Sequence, residues 1–133
     1  MKVALDTNVV ASAVGTRGLC ADVLRVILLE HDLVLSEPML AELRRNLAKK
    51  FRLSAALIDE TETTLREQAT VLGESGTALA LPIDPDDALV LGAVIGHADV
   101  FVTGDAKLLA LEKRAPLPII SPRQFWTLLR REG

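Results

Sequence analysis

The sequence predicts an α/β protein, a three-layer α/β/α sandwich around a central, mainly parallel sheet, and two observations predict it. Short runs of β-branched and aliphatic residues alternate with longer stretches of helical periodicity. The short runs are apolar throughout rather than alternating, as strands covered on both faces tend to be.

The strands predicted in this way are Lys2 to Leu5, Leu33 to Leu35, Val100 to Val102 and Pro118 to Ile120, with a weaker candidate at Ala80 to Ile83. Helical patterns occupy 19 to 30, 37 to 51, 54 to 72, 86 to 96, 106 to 113 and 122 to 131. Several of them open on capping residues. Ser36 precedes Glu37-Pro38, Asp84 precedes Pro85 with Asp87 three residues on, and Ser121-Pro122 is followed by Gln124. Gly73 to Thr77 reads as a loop, and neither a repeat nor a linker divides the chain. One domain over residues 1–133 is expected, since 133 residues that are 50% hydrophobic and 25% charged are enough for one core.

Charge and special residues narrow the function. A net charge of −3 removes any whole-molecule attraction for nucleic acid or anionic membrane, so polyanion binding has to be local or mediated by cations. The single Cys20 excludes a disulfide framework, and its place in an apolar helical pattern reads as core filler. The opening apolar run is too short for a signal peptide and no apolar run reaches membrane-spanning length, so a cytoplasmic location without membrane association is expected. Phe51, Phe101, Phe125 and Trp126 are too scattered for a base-stacking platform.

The acids carry the chemistry. In LDTNVV, Asp6 stands at the exit of the first strand, and in VFVTGD, Asp105 follows a later strand with Thr103 beside it. Strand exits of an open parallel sheet are where ligands bind. Each of these aspartates could equally cap the helix that follows it. In DPDDALVLGAVI, helix capping accounts for Asp84 and first-turn solvation for Asp86, while Asp87 adjoins the small apolar face of Ala88, Leu91, Gly92 and Ile95. Glu42 lies about 140° around its helix from Leu40, Leu43, Leu47 and Phe51, hence at a rim, where pairing with Arg45 would be an ordinary surface role.

Carboxylates gathered in one crevice repel each other and resist burial, so such a cluster needs protons or a cation. Oxygen-only ligands suit Mg²⁺ or Mn²⁺, whereas His31 and His97, two isolated histidines at helix ends or loops, do not make a zinc site. A carboxylate-held Mg²⁺ can bridge a phosphate, activate water and neutralise charge during in-line attack on phosphorus. Arg44, Arg45, Lys49, Lys50 and Arg52 could then track a nucleic-acid backbone, although such a run also serves as a solvated helix face.

Taken together, LDTN, LSEPMLAEL, DPDDALVLGAV, FVTGD and PIISPRQFWTLL resemble, in this order, the PIN-domain family of metal-dependent ribonucleases, most closely the VapC-like toxin components of toxin–antitoxin pairs. The resemblance implies a sheet of strand order 3-2-1-4-5 and a quartet of Asp6, Glu42, Asp87 and Asp105 that is both catalytic and the ligand set for Mg²⁺ or Mn²⁺. It also implies supporting roles for Asn8, Ser36 and Thr103. RNA would be the substrate, with Arg45, Lys49 and Arg52 as backbone contacts. A cognate antitoxin and a homodimer are further implications. A lysine that often follows the third acid in that branch is replaced here by Ala88. Two alternatives stay open: a PIN fold used only to bind RNA or a partner, and a haloacid-dehalogenase-type phosphatase, although Asn8 stands where the latter wants a second aspartate.

Overall fold

The computed structural model describes residues 1–73, 85–111 and 115–132, apart from the side chains of Asp86, Asp87, Leu89 and Glu132. In chain order the elements are β1 (Lys2–Leu5), α1 (Thr7–Gly15), α2 (Leu19–Glu30), β2 (Asp32–Ser36), α3 (Glu37–Lys49), α4 (Ala55–Gln68), β3 (Ala69–Leu72), α5 (Pro85–Val94), β4 (Val100–Val102), α6 (Ala106–Leu109), β5 (Ile119–Ile120) and α7 (Pro122–Glu132). All strands pair in parallel, in the order β3-β2-β1-β4-β5.

Val3, Ala4 and Leu5 are consecutive and fully buried. Successive strand side chains point to opposite faces, so β1 is covered on both, and the three-layer arrangement follows. Leu33 to Leu35 of β2 and Val100 to Val102 of β4 repeat the pattern. Between the sheet and its helices lie Ile27, Met39, Leu40, Leu47, Leu91, Leu108 and Phe125, and these join the strands in one continuous core.

Four predicted strands fall where the sequence places them, within a residue or two. The third strand does not: Ala69–Leu72 pairs with β2 through Leu33 opposite Ala69 to Ser36 opposite Leu72, inside the stretch expected to be helical as far as residue 72. Its helical disguise has a cause. Leu65, Ala69 and Leu72 keep the i, i+4, i+7 spacing of α4, and neither glycine nor proline separates the helix from the strand. The weaker candidate at Ala80 to Ile83, like the Asp84 cap, lies outside the described residues. Helix α1 was legible only as an extension of a possible Asp6 cap. Helices α3 and α6 stop at Lys49 and Leu109, short of the predicted 51 and 113.

Caps set the helix starts. Ser36 Oγ accepts from the Met39 amide at 3.3 Å, and Pro38 sits in the first turn of α3. At α7 the Ser121 and Gln124 side chains accept from each other's backbone amides at 3.1 and 2.8 Å, completing the predicted capping box. Helices α3 and α4 are tied by a network in which Arg44 donates to Asp59 and Glu62, and Arg66 donates to Glu37 and Glu62. Arg44 therefore serves the fold, not the solvated basic flank.

At the end of α1 the packing is tight. A Cβ on Gly15 would come within 2.3 Å of the Phe51 ring, so glycine is what lets the ring cover the helix end. Gly15→Ala should lower stability by about 1–2 kcal/mol, since forcing a rigid ring aside costs more than the helix gains from alanine. Chemical denaturation with an unchanged m-value checks this.

Candidate active site at the exits of strands 1 and 4

Strand order makes β1 the middle strand, with β2 on one side and β4 on the other. The chain leaves β1 toward β2 and later returns to its opposite flank, so the carboxyl ends of β1 and β4 bound a topological switch point. Leu5 pairs with Val102, the Asp6 amide donates to the Val102 carbonyl at 2.9 Å, and the Thr103 amide donates to the Ile120 carbonyl at 2.9 Å. Parallel register thus sets Asp6 and Thr103 side by side just past the sheet.

Asp6 is only 7% exposed, and Thr103 is fully buried. Thr103 Oγ1 donates to Asp6 Oδ2 at 2.7 Å and accepts from the Asp105 amide at 3.0 Å, joining the two strand-exit acids through one hydroxyl. The other oxygen of Asp6, Oδ1, accepts from the Thr7 amide at 2.8 Å and starts α1. Asp105 likewise caps α6, its Oδ1 accepting from the Lys107 amide at 2.8 Å. Capping and placement at a strand exit are therefore not competing accounts, since both aspartates do both.

Glu42 enters from the side. Helix α3 rises from the end of β2 and packs against α1, and Thr7 Oγ1 donates to Glu42 Oε2 at 3.3 Å. Thr7, 1% exposed, was not singled out in the sequence, although its place immediately after Asp6 was the available signal. Arg45, expected as a surface partner of Glu42, is exposed and has no ion pair among the described residues.

The electrostatics follow from the burial. Desolvation raises the Asp6 pKa above the usual carboxylate value. Hydrogen bonds from Thr103 and Thr7 pull it back, and the charges of Glu42 and Asp105 push it up again. Both neighbouring acids thus lie within electrostatic reach of Asp6. Among the described residues no three His, Cys, Asp or Glu side chains are close enough to hold a metal ion by themselves. Asp87 belongs to the first turn of α5, which packs against β2 and α3, and its side chain lies outside the described residues. Asp6, Glu42 and Asp105 offer only carboxylate oxygens, which suit a hard divalent cation.

The supporting residues are placed as follows. Ser36 is fully buried at the end of β2, where it caps α3. Asn8 is exposed on α1, and its Oδ1 accepts from Asn46 Nδ2 at 3.3 Å, linking α1 to α3. Arg45, Lys49 and Arg52 are all exposed at or beyond the second half of α3. Cys20 is half-buried against the core, its thiol pKa raised by burial. His31 ends α2 and His97 lies in the turn after α5, the helix-end and loop positions the sequence predicts.

A family model described as a PIN domain matches residues 2–107. No curated protein matches. Among solved structures, the chain is similar to VapBC2 from Rickettsia felis bound to a DNA fragment from their promoter, at 18% identity and a TM-score of 0.64, over 91% of this chain and 98% of that one. It is similar to FitAB bound to an IR36 DNA fragment, also at 18% identity and a TM-score of 0.64, over 90% and 94% of the two chains. FitAcB from Neisseria gonorrhoeae matches at 17% identity and a TM-score of 0.57, over 90% and 97%.

Proposed function

The chain belongs to the PIN-domain family, and from that premise we propose that it is a metal-dependent endoribonuclease, the toxin component of a toxin–antitoxin pair. Members of the family are generally nucleases that use divalent metals. The observation that carries the reading is Asp6, a carboxylate buried at the switch point of the sheet with Glu42 and Asp105 both close enough to raise its pKa. Mutual repulsion of this kind does nothing for folding, and it becomes useful when a cation neutralises it.

Asp6, Glu42, Asp87 and Asp105 are the proposed ligands, and Mg²⁺ or Mn²⁺ is the proposed ion, which when bound supplies a Lewis acid and an activated water at phosphorus. The chain's own contribution is orientation. Thr103 holds Asp6 and Asp105 in fixed relation, and Thr7 steadies Glu42. Arg45, Lys49 and Arg52, exposed on the same helix as Glu42 or just beyond it, suit contacts to the RNA backbone.

The test is Asp87→Asn. RNA cleavage in Mn²⁺ should be abolished with the far-ultraviolet circular dichroism and unfolding midpoint retained, and full activity in this variant would remove Asp87 from the mechanism. A PIN fold that only binds RNA or a partner predicts neither Mn²⁺ binding by calorimetry nor cleavage by the parent protein. For the phosphatase alternative, Asn8 supplies an exposed amide tied to Asn46 where a carboxylic acid is wanted.

A cognate antitoxin and a homodimer complete the proposal. The VapBC2 and FitAB likenesses favour the antitoxin. Co-expression with the product of an adjacent small gene should yield a stable complex, and light scattering of the isolated chain should give twice the monomer mass. The site of action is proposed to be the cytoplasm; among the described residues no helix is long and apolar enough to cross a membrane.

A further inference from the structure

Beside Asp105, on the side where α1, the start of α2 and the start of α7 meet the loop after β4, the surface sinks into a recess of about 280 Å³. Asn8, Ser12, Cys20, Gly104, Asp105 and Pro122 line it. It exists because three of these residues are small; a bulky side chain at position 12, 20 or 104 would occupy it.

Gly104 has no structural reason to be glycine. Its φ is not in the left-handed region, and a Cβ built on it would meet nothing within 4 Å. Neither backbone conformation nor packing demands the missing side chain, in contrast to Gly15. A glycine of this kind, between Thr103 and Asp105, leaves room for something outside the chain to approach the backbone.

Resting on the ribonuclease reading, we propose that this recess is the subsite for the nucleoside joined to the scissile phosphate, and that residue 104 is glycine because substrate passes over it. Its volume is just below the range of small-molecule pockets, about 300–1,000 Å³, which suits one nucleoside and excludes a helix or a duplex. Its chemistry is mixed in the way a nucleoside requires. Asn8, with its Oδ1 already bonded to Asn46, keeps amide donors, and Ser12 adds a hydroxyl that both donates and accepts. Pro122, half-buried at the start of α7, offers apolar surface to a base face. Asp105, shared between the recess and the acid cluster, sets the nucleoside next to the reacting phosphate.

The experiment compares the parent chain with Gly104→Ala and Gly104→Val. Both variants should keep the parent's unfolding midpoint, because the new atoms meet no protein. With a mixed-sequence RNA in Mn²⁺, kcat/KM should fall about tenfold for alanine and further for valine, mainly through KM, and the preference for nucleotides flanking the cut should change. Unaltered kinetics and preference in Gly104→Val would overturn the subsite.

A second measurement separates this proposal from the ribonuclease reading. The four ribonucleoside 5′-monophosphates are titrated into the parent chain and followed by the amide resonances of Ser12, Cys20 and Gly104. Shifts at these residues that vanish in Gly104→Val support the subsite even where the parent cleaves no RNA, a result that would overturn the ribonuclease reading alone. Absence of shifts with all four nucleotides overturns the subsite, whatever the parent cleaves.

Discussion

Asp6→Asn should give a protein that no longer cleaves RNA yet unfolds at a higher temperature than the parent in metal-free buffer at neutral pH. The loss of activity should be on the order of 10³-fold or more, the equivalent of several kcal/mol of transition-state stabilisation supplied through the metal site. The gain in stability follows from linkage. Burial, with help from Glu42 and Asp105, raises the folded pKa of Asp6 above its unfolded value, so over that interval the folded state binds the proton more strongly. The stabilising contribution is complete below the unfolded pKa and is lost as pH rises through the folded one, leaving an uncompensated buried charge at neutrality. Asparagine removes that charge and can keep both partners, with its carbonyl accepting from the Thr7 amide and its amide donating to Thr103. A gain of about 1 kcal/mol would raise the midpoint by roughly 4 °C. Mn²⁺ should stabilise the parent strongly at pH 7, weakly near pH 4, because Asp6 takes up a proton more readily than an ordinary carboxylate as pH falls, and Asp6→Asn little at either pH. Calorimetric melts at the two pH values read all of this.

Thr103→Val should be damaging in both respects. The hydroxyl is fully buried, donates to Asp6 and accepts from the Asp105 amide, so its loss strands a carboxylate oxygen and a backbone donor together. A buried partner left unsatisfied costs about 1–3 kcal/mol, and more when it is charged, so a loss of roughly 3 kcal/mol is expected. Cleavage should fall about 100-fold in kcat, because the two strand-exit acids lose their shared tether. Thr103→Ser, which restores the hydroxyl but not the methyl, should recover most of the activity while regaining only part of the stability. Recovery of stability without activity would show that the hydroxyl serves packing alone.

These expectations show what the sequence made legible. Asp6 and Asp105 could be placed because each follows an unbroken apolar strand, and the parallel register then brings them together. Glu42 was readable as a rim residue from helical angle alone, and it is half-buried there. Its actual partner was not readable, since Thr7 meets Glu42 only through the packing of α1 on α3. Strand β3 was hidden by a helical spacing that runs unbroken from α4, and the β-branched pair Thr70-Val71 was too short a signal against it. Arg44 looked like one of five equivalent cations until α4 brought Asp59 and Glu62 to it. The recess beside Asp105 depends on four segments meeting and had no signature along the chain.

The proposed function requires that the acids just past β1 and β4 and those on α3 and α5 converge on bound Mg²⁺ or Mn²⁺. A crystal soaked in Mn²⁺ at neutral pH, with anomalous scattering measured, tests it most directly. The predicted result is a peak about 2.1 Å from an Asp6 oxygen, ligated also by at least two of Glu42, Asp87 and Asp105. An ion bound away from Asp6, or those carboxylates turned toward separate surfaces in the presence of Mn²⁺, would contradict it.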